Sequence, residues 1–189
     1  DAKGEHRLKT RDIAIDEQFS YRNGKIVYSA YESDARWGWK DYSVIKLLDV
    51  QTGKQQTLTH KTKYFTPDIS EDGNLVAAVQ FDENGKSELH ILNTNGGTVL
   101  NKIHSPEINL FTDPKFLDDK TIISAVRLKD GRMYLAKSIL PTGETSQLTS
   151  PSFNVIGYPC ISNGIVYYTA SYADNDDVFA LRMSNGKIY

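Results

Sequence analysis

Four short apolar runs, Ile26-Val27-Tyr28, Leu75-Val76-Ala77, Ile122-Ile123-Ser124 and Ile165-Val166-Tyr167, recur at intervals of 49, 47 and 43 residues. Each reads as the middle of a strand. Three of them follow a proline, Pro67, Pro114 or Pro159, which introduces a short strand, and the turns in between are "SEDGN", "LDDKT" and "SNGI". Behind each run come a polar strand, a turn glycine (Gly53, Gly96, Gly143 or Gly186) and a last strand such as "KQQTLT" or "ETSQLT". Asn-Gly steps at Asn23, Asn84, Asn95, Asn163 and Asn185 supply hairpin turns, and helical periodicity is hard to find. Four strands in about 45 residues is the period of a β-propeller blade, a sheet that buries both faces only by stacking on its neighbours. A β-sandwich also has short strands but gives no reason for this period. The expectation is an all-β propeller of four-stranded antiparallel blades, about four of them present, at about 15–59, 64–104, 111–149 and 156–189.

Of the 189 residues, 39% are apolar, enough to build a packed core. Net charge is −2 and the basic residues are scattered, so the basic stripe expected of a nucleic-acid binder is missing. No apolar run approaches the roughly 18 residues of a membrane span. The single cysteine, Cys160, has no partner for an internal disulfide and reads as a small buried apolar residue.

The second repeat, "YFTPDISEDGNLVAAVQFDENGKSELHILNTNGG" from Tyr64 to Gly97, contains a proline, an apolar residue, Ser-x-Asp-Gly, a β-branched strand and a second strand ending in a glycine turn. It resembles a TolB-type repeat of the WD-repeat-like propellers, and the resemblance extends over nearly the whole chain. Leu117-Asp118-Asp119-Lys120 departs from the pattern by lacking the glycine, Ser162-Asn163-Gly164 is a residue short, and Gln18 stands where the first proline would be. The resemblance implies a non-catalytic binding or scaffolding module in an envelope or periplasmic setting, with six blades the common number. Within residues 1–10, "GEHRLKT" reads as the last strand of a preceding blade, and "SNGKIY" stops as another fourth strand begins. A larger propeller around this segment is therefore expected.

Motifs for catalysis are missing. No G-x-S-x-G elbow presents a serine, and His6, His60, His90 and His104 form no H-E-x-x-H pair, reading instead as solvated loop residues. "SEDGN" suffices for a turn, in which aspartate caps backbone N–H groups and glycine takes positive φ. Asp174-Asn175-Asp176-Asp177 lacks the further ligands of an EF-hand and reads as a solvated hairpin tip. "NTNGGT" lacks the Lys-Ser/Thr of a phosphate-binding loop. No cofactor and no metal are expected, and the segment itself is not expected to be an enzyme.

Both tryptophans lie in "SDARWGWKDYS", Ser33 to Ser43. From the second-strand isoleucine or leucine to the turn glycine the count is 21 in three repeats and 27 from Ile26 to Gly53. Six extra residues therefore sit between the second and third strands of the first blade. Loops at that position share a face with the linkers between blades, here "THKTKYFTP", "HSPEINLFTDP" and "TSPSFNVIGYP". Trp37 and Trp39 are expected on the same face as Tyr64, Phe65, Phe111, Phe153 and Tyr158. Two roles are open. The rings fold down and seal the blade, with Arg36 or Lys40 stacked on an indole, or they stand out as an anchor for a protein or peptide partner. In the second case the contact set is Arg36, Trp37, Trp39, Lys40, Tyr64, Phe65, Phe111 and Tyr158. Glycan binding would use the two indoles as stacking platforms, and the last alternative is the gating propeller of a larger peptidase or hydrolase whose catalysis lies in another domain.

Overall fold

The structure is a computed structural model and describes residues 4, 7–14, 16, 18–173 and 175–189. Among these residues sixteen strands form four antiparallel sheets of four. The first sheet contains β1 (Ser20–Arg22), β2 (Lys25–Ser33), β3 (Asp41–Asp49) and β4 (Gln55–Thr57), paired in that order. The second holds β5 (Tyr64–Ile69), β6 (Leu75–Phe81), β7 (Ser87–Asn93) and β8 (Val99–Ile103). The third holds β9 (Ile108–Asp118), β10 (Thr121–Leu128), β11 (Met133–Ile139) and β12 (Thr145–Gln147), and the fourth β13 (Ile156–Ser162), β14 (Ile165–Ala170), β15 (Asp177–Arg182) and β16 (Lys187–Ile188). Each sheet is a meander because tight turns join neighbours. In "SEDGN", the Asp72 carboxylate accepts from the Ser70 hydroxyl and the Asn74 backbone N–H (2.6 and 3.0 Å), while Gly73 takes φ 72°.

Burial explains the stacking. Val27, Ile45 and Leu47 of the first sheet meet Val76, Ala78 and Leu92 of the second. Ala77, Val79 and Leu89 on the other face of that sheet meet Ile122, Val126 and Tyr134 of the third. The reverse face of the third, with Ile123, Ala125 and Leu135, meets Val166, Tyr168 and Leu181 of the fourth. The first strands lie innermost, β1 beside β5, β5 beside β9 and β9 beside β13. Among the described residues no apolar cluster joins the fourth sheet to the first.

Several expectations are corrected. Face by face, Val76, Ile122 and Val166 are equivalent, each packing against the preceding sheet, so Leu75 and Ile165 sit one residue out of register with Ile122. The physical reason is that strands buried on both faces read as continuous apolar runs, with no alternation to fix their phase. The turn glycine of the second blade is Gly97, not Gly96. Its N–H donates to Asn93 O (3.0 Å) as those of Gly53, Gly143 and Gly186 do to Asp49, Ile139 and Arg182. At φ 70°, Gly97 also lies so close to the end of the first blade's last strand that a Cβ would come within 1.8 Å of Leu58 O.

The prolines do not begin their strands. Pro67, Pro114 and Pro159 fall inside β5, β9 and β13 at register shifts, where the absent N–H costs no ladder bond. Just before each stands a non-glycine residue with positive φ: Thr66 (47°), Asp113 (48°) and Tyr158 (51°). Such conformations cost of order 1–3 kcal/mol each and persist where the surroundings enforce them. Here the Asp16 carboxylate accepts the Thr66 N–H (2.9 Å), and the Tyr158 N–H favours the ionised form of the Asp113 carboxyl.

Cys160 is exposed, on the face of β13 that points away from the third sheet, rather than buried. The strand expected within residues 1–10 is not formed at Gly4 or residues 7–10, the described ones there. Instead Leu8, Lys9 and Arg11 line a small cavity with Phe19, Ile26, Tyr28 and Leu48 on the outer face of the first blade.

Candidate binding groove on the linker face

The six extra residues take the form of a longer hairpin. β2 and β3 have nine residues each against seven in β6 and β7, and the tip between them has seven (34–40) against five (82–86). Two more residues per strand raise the tip by about 7 Å. Asp34 organises it. One carboxylate oxygen accepts the N–H groups of Arg36 (2.9 Å) and Trp37 (3.1 Å), and the other accepts the Tyr42 hydroxyl (2.9 Å). The Arg36 N–H first, then the Tyr42 hydroxyl and the Trp37 N–H, hold this carboxyl below the usual carboxylate value. Two backbone bonds, Asp34 N–H to Lys40 O (2.9 Å) and Lys40 N–H to Trp37 O (2.8 Å), close the loop.

The indoles point outward: Trp37 is 53% and Trp39 85% exposed. Sealing is done by Tyr42, which is 9% exposed, packs with Tyr28, Ala30 and Val44, and has the Lys40 ammonium 5.6 Å from its ring centroid. The stacking of Lys40 or Arg36 on an indole is therefore corrected to Lys40 on Tyr42.

The linker is fastened against this hairpin. Ser43 N–H donates to Thr62 O (2.8 Å), the Thr62 hydroxyl to Ser43 O (3.0 Å), and the Ser43 hydroxyl to Tyr64 O (2.5 Å). On the other side, Phe81 N–H donates to Lys63 O (2.9 Å). Between the raised hairpin, the linker and the β6–β7 turn opens a groove of about 1000 Å³. Lys40, Lys61 and Lys63 line it together with Phe65, Phe81 and the 82–85 turn. Phe65 and Phe81 meet edge to face with centroids 5.5 Å apart.

Tyr64 and Phe111 leave the expected contact set, being 4% and 1% exposed. Their strands start ahead of the proline, so what reads as linker is core-facing strand. The Tyr64 hydroxyl lies 2.7 Å from His90 Nδ1, and His90 Nε2 lies 3.1 Å from Glu88. His90 is thus a buried residue of β7 and not a solvated loop histidine. Burial holds it below its ordinary pKa against the pull of Glu88, so the neutral ring accepts from Tyr64 and donates to Glu88. Burial, with the charge of Glu88, pushes the Tyr64 hydroxyl up to about 12. His60 and His104 are exposed, and His6 lies outside the described residues. Asp174 does too, whereas the neighbouring Asp176 carboxylate accepts the Ser171 hydroxyl at the same hairpin tip.

Tyr158 is 66% exposed and lies away from the tip, lining a second hollow of about 460 Å³ with Asp16, Thr66, Thr112 and Asp113. Phe65 borders both hollows. Of the expected set, then, Lys40 and Phe65 meet in the groove, with Arg36, Trp37 and Trp39 on the tip above it. Sequence reasoning missed Asp34, Tyr42, Lys61, Lys63 and Phe81. The only signal for the lysines was the "THKTKYF" linker itself. Among the described residues no group of three His, Cys, Asp or Glu is placed to hold a metal ion.

Four-stranded meanders stacked face to face, with their first strands innermost, define a β-propeller. Within that class the fold is TolB-like: it is similar to TolB from Acinetobacter baumannii, with 15% identity and a TM-score of 0.69 over 90% of this chain and 41% of that one. It is also similar to the propeller domain of the trilobed protease from Pyrococcus furiosus, which has an open velcro topology (14% identity, TM-score 0.64, 92% and 55%). A third similar structure is the acylaminoacyl peptidase of Pyrococcus horikoshii (13% identity, TM-score 0.65, 92% and 31%). The chain spans roughly a third to just over half of these structures, and the likeness is one of fold. No family model and no curated protein matches the sequence.

Proposed function

We propose that this chain is a binding module of a larger cell-envelope protein, and that it captures a protein or peptide partner with the raised hairpin and the groove beneath it. The observation that carries this reading is the pair of exposed indoles on a tip held in place by Asp34. Tryptophan is among the residue types that most concentrate binding energy at interfaces, and this loop presents two of them in a fixed shape. The groove's volume and aromatic floor support the same reading. The similarity to TolB supports the envelope setting.

Panning a peptide display library against the native chain and against a Trp37→Ala/Trp39→Ala variant tests the reading. Binders are expected on the native chain and not on the variant. The variant should unfold within about 2 °C of the parent by circular dichroism, since exposed positions shift stability by at most about 0.5 kcal/mol. Equal enrichment on both proteins, or a loss of stability of many degrees, would sink it. A second reading, a gate beside a peptidase domain, is favoured by the likeness to acylaminoacyl peptidase, of which the chain matches 31%. A hydrolase domain encoded next to this segment would support it.

A further inference from the structure

The groove's charges are segregated. Lys40, Lys61 and Lys63 stand on the hairpin and linker side, while Asp82 and Glu83 stand on the opposite turn. None of the three lysines has a carboxylate within 4.0 Å among the described residues, whereas Lys46, Lys86 and Lys115 elsewhere are paired. One oxygen of Asp82 is already engaged, accepting the N–H groups of Asn84 (2.9 Å) and Lys86 (2.8 Å) to shape its turn. The floor between the two sides is the Phe65–Phe81 pair. Three like charges gathered beside an apolar floor repel one another, and an incoming anion relieves that repulsion.

We propose that the groove binds a linear acidic peptide segment. One aromatic or aliphatic side chain rests on Phe65 and Phe81, the flanking carboxylates face Lys40, Lys61 and Lys63, and the indoles of Trp37 and Trp39 cover the segment from above. This rests on the binding-module reading and specifies its ligand. An anionic oligosaccharide carries the same carboxylates, but a recessed edge-to-face pair receives a projecting side chain rather than the flat face of a sugar ring. The acidic turn at Asp82 and Glu83 also opposes a uniform polyanion, while a peptide can place an amide or a cation there. Charge pairing on an open surface makes the affinity fall as salt rises.

Isothermal titration calorimetry with three synthetic heptapeptides and one oligosaccharide tests this: an acidic peptide of glutamates and aspartates around a central phenylalanine, the same peptide with alanine for phenylalanine, the same with lysine for every acid, and a hexagalacturonate. The acidic phenylalanine peptide should bind, with affinity at least about tenfold weaker after the phenylalanine is removed and in a Lys61→Glu/Lys63→Glu chain. A Lys61→Gln/Lys63→Gln chain should show an intermediate loss, with circular dichroism verifying that both variants fold. Binding of the lysine peptide, indifference to the lysine changes, or binding of the hexagalacturonate alone would each overturn it. If display yields tip-dependent binders that carry no acidic residues, this inference fails and the binding-module reading stands. If display yields none, the broader reading fails.

Discussion

Asp113 shows how one buried carboxylate is kept in an inner strand. Its burial pushes the carboxyl above the usual carboxylate value, against the Tyr158 N–H and the Lys115 charge that favour ionisation, and the nearby Asp16 adds to the upward push. A carboxyl whose folded-state pKa is raised makes the protein less stable when ionised, and that cost is relieved as pH falls through the folded value. Asp113→Asn keeps an acceptor for the Tyr158 N–H and removes the charge. At neutral pH the variant should unfold no lower than the parent. The parent should gain on it as pH drops toward the ordinary carboxylate range, and a difference in unfolding temperature that stays flat with pH would refute this. At the same scale the sequence was legible only in part. The polar neighbours of Trp37 and Trp39 suit a buried and an exposed ring equally, and the deciding contact, Asp34 to Tyr42, spans eight residues. Tyr64 and Phe111 were misplaced because a proline inside a strand at a register shift looks like one at its start.

The first blade's hairpin is the element that departs from its repeat. Its insertion could be counted from the sequence because turn glycines mark the ends of the interval. Its shape could not, since the added strand residues Glu32, Ser33, Asp41 and Tyr42 show no apolar alternation and the added rungs Glu32↔Tyr42 and Ser33↔Asp41 are a matter of pairing. The register slip in the second and fourth blades has the same root, apolar runs without alternation. The comparison between blades suggests a transplant. Replacing residues 34–40 with the five-residue 82–86 tip, Asp-Glu-Asn-Gly-Lys, should leave β2 and β3 paired and the unfolding temperature within about 4 °C. The same change should abolish peptide capture. Retained capture would place the contact elsewhere.

Across the whole molecule the blades behave as a row of neighbours, each buried against the next. The second and third sheets are covered on both faces, while the first and fourth each have one face outside the three shared clusters. In such arrays stability is close to a sum of interface terms. Ile122→Ala, at the interface of the second and third sheets, should cost about 2–5 kcal/mol. Val178→Ala, 73% exposed on the fourth, should cost about 0.5 kcal/mol or less. Urea unfolding of the two variants checks the contrast, and equal losses would mean that the sheets are not stacked as described. This level was the most legible, because the period, the turn glycines and the strand count all follow from chemistry local to each repeat. The outward placement of both indoles has an optical consequence as well. Nearly all of the chain's emission under long-wavelength ultraviolet excitation comes from one wet loop, while its eleven tyrosines, several of them buried, are dispersed through the blades. Tryptophan emission will therefore report on the hairpin tip more than on the sheets behind it.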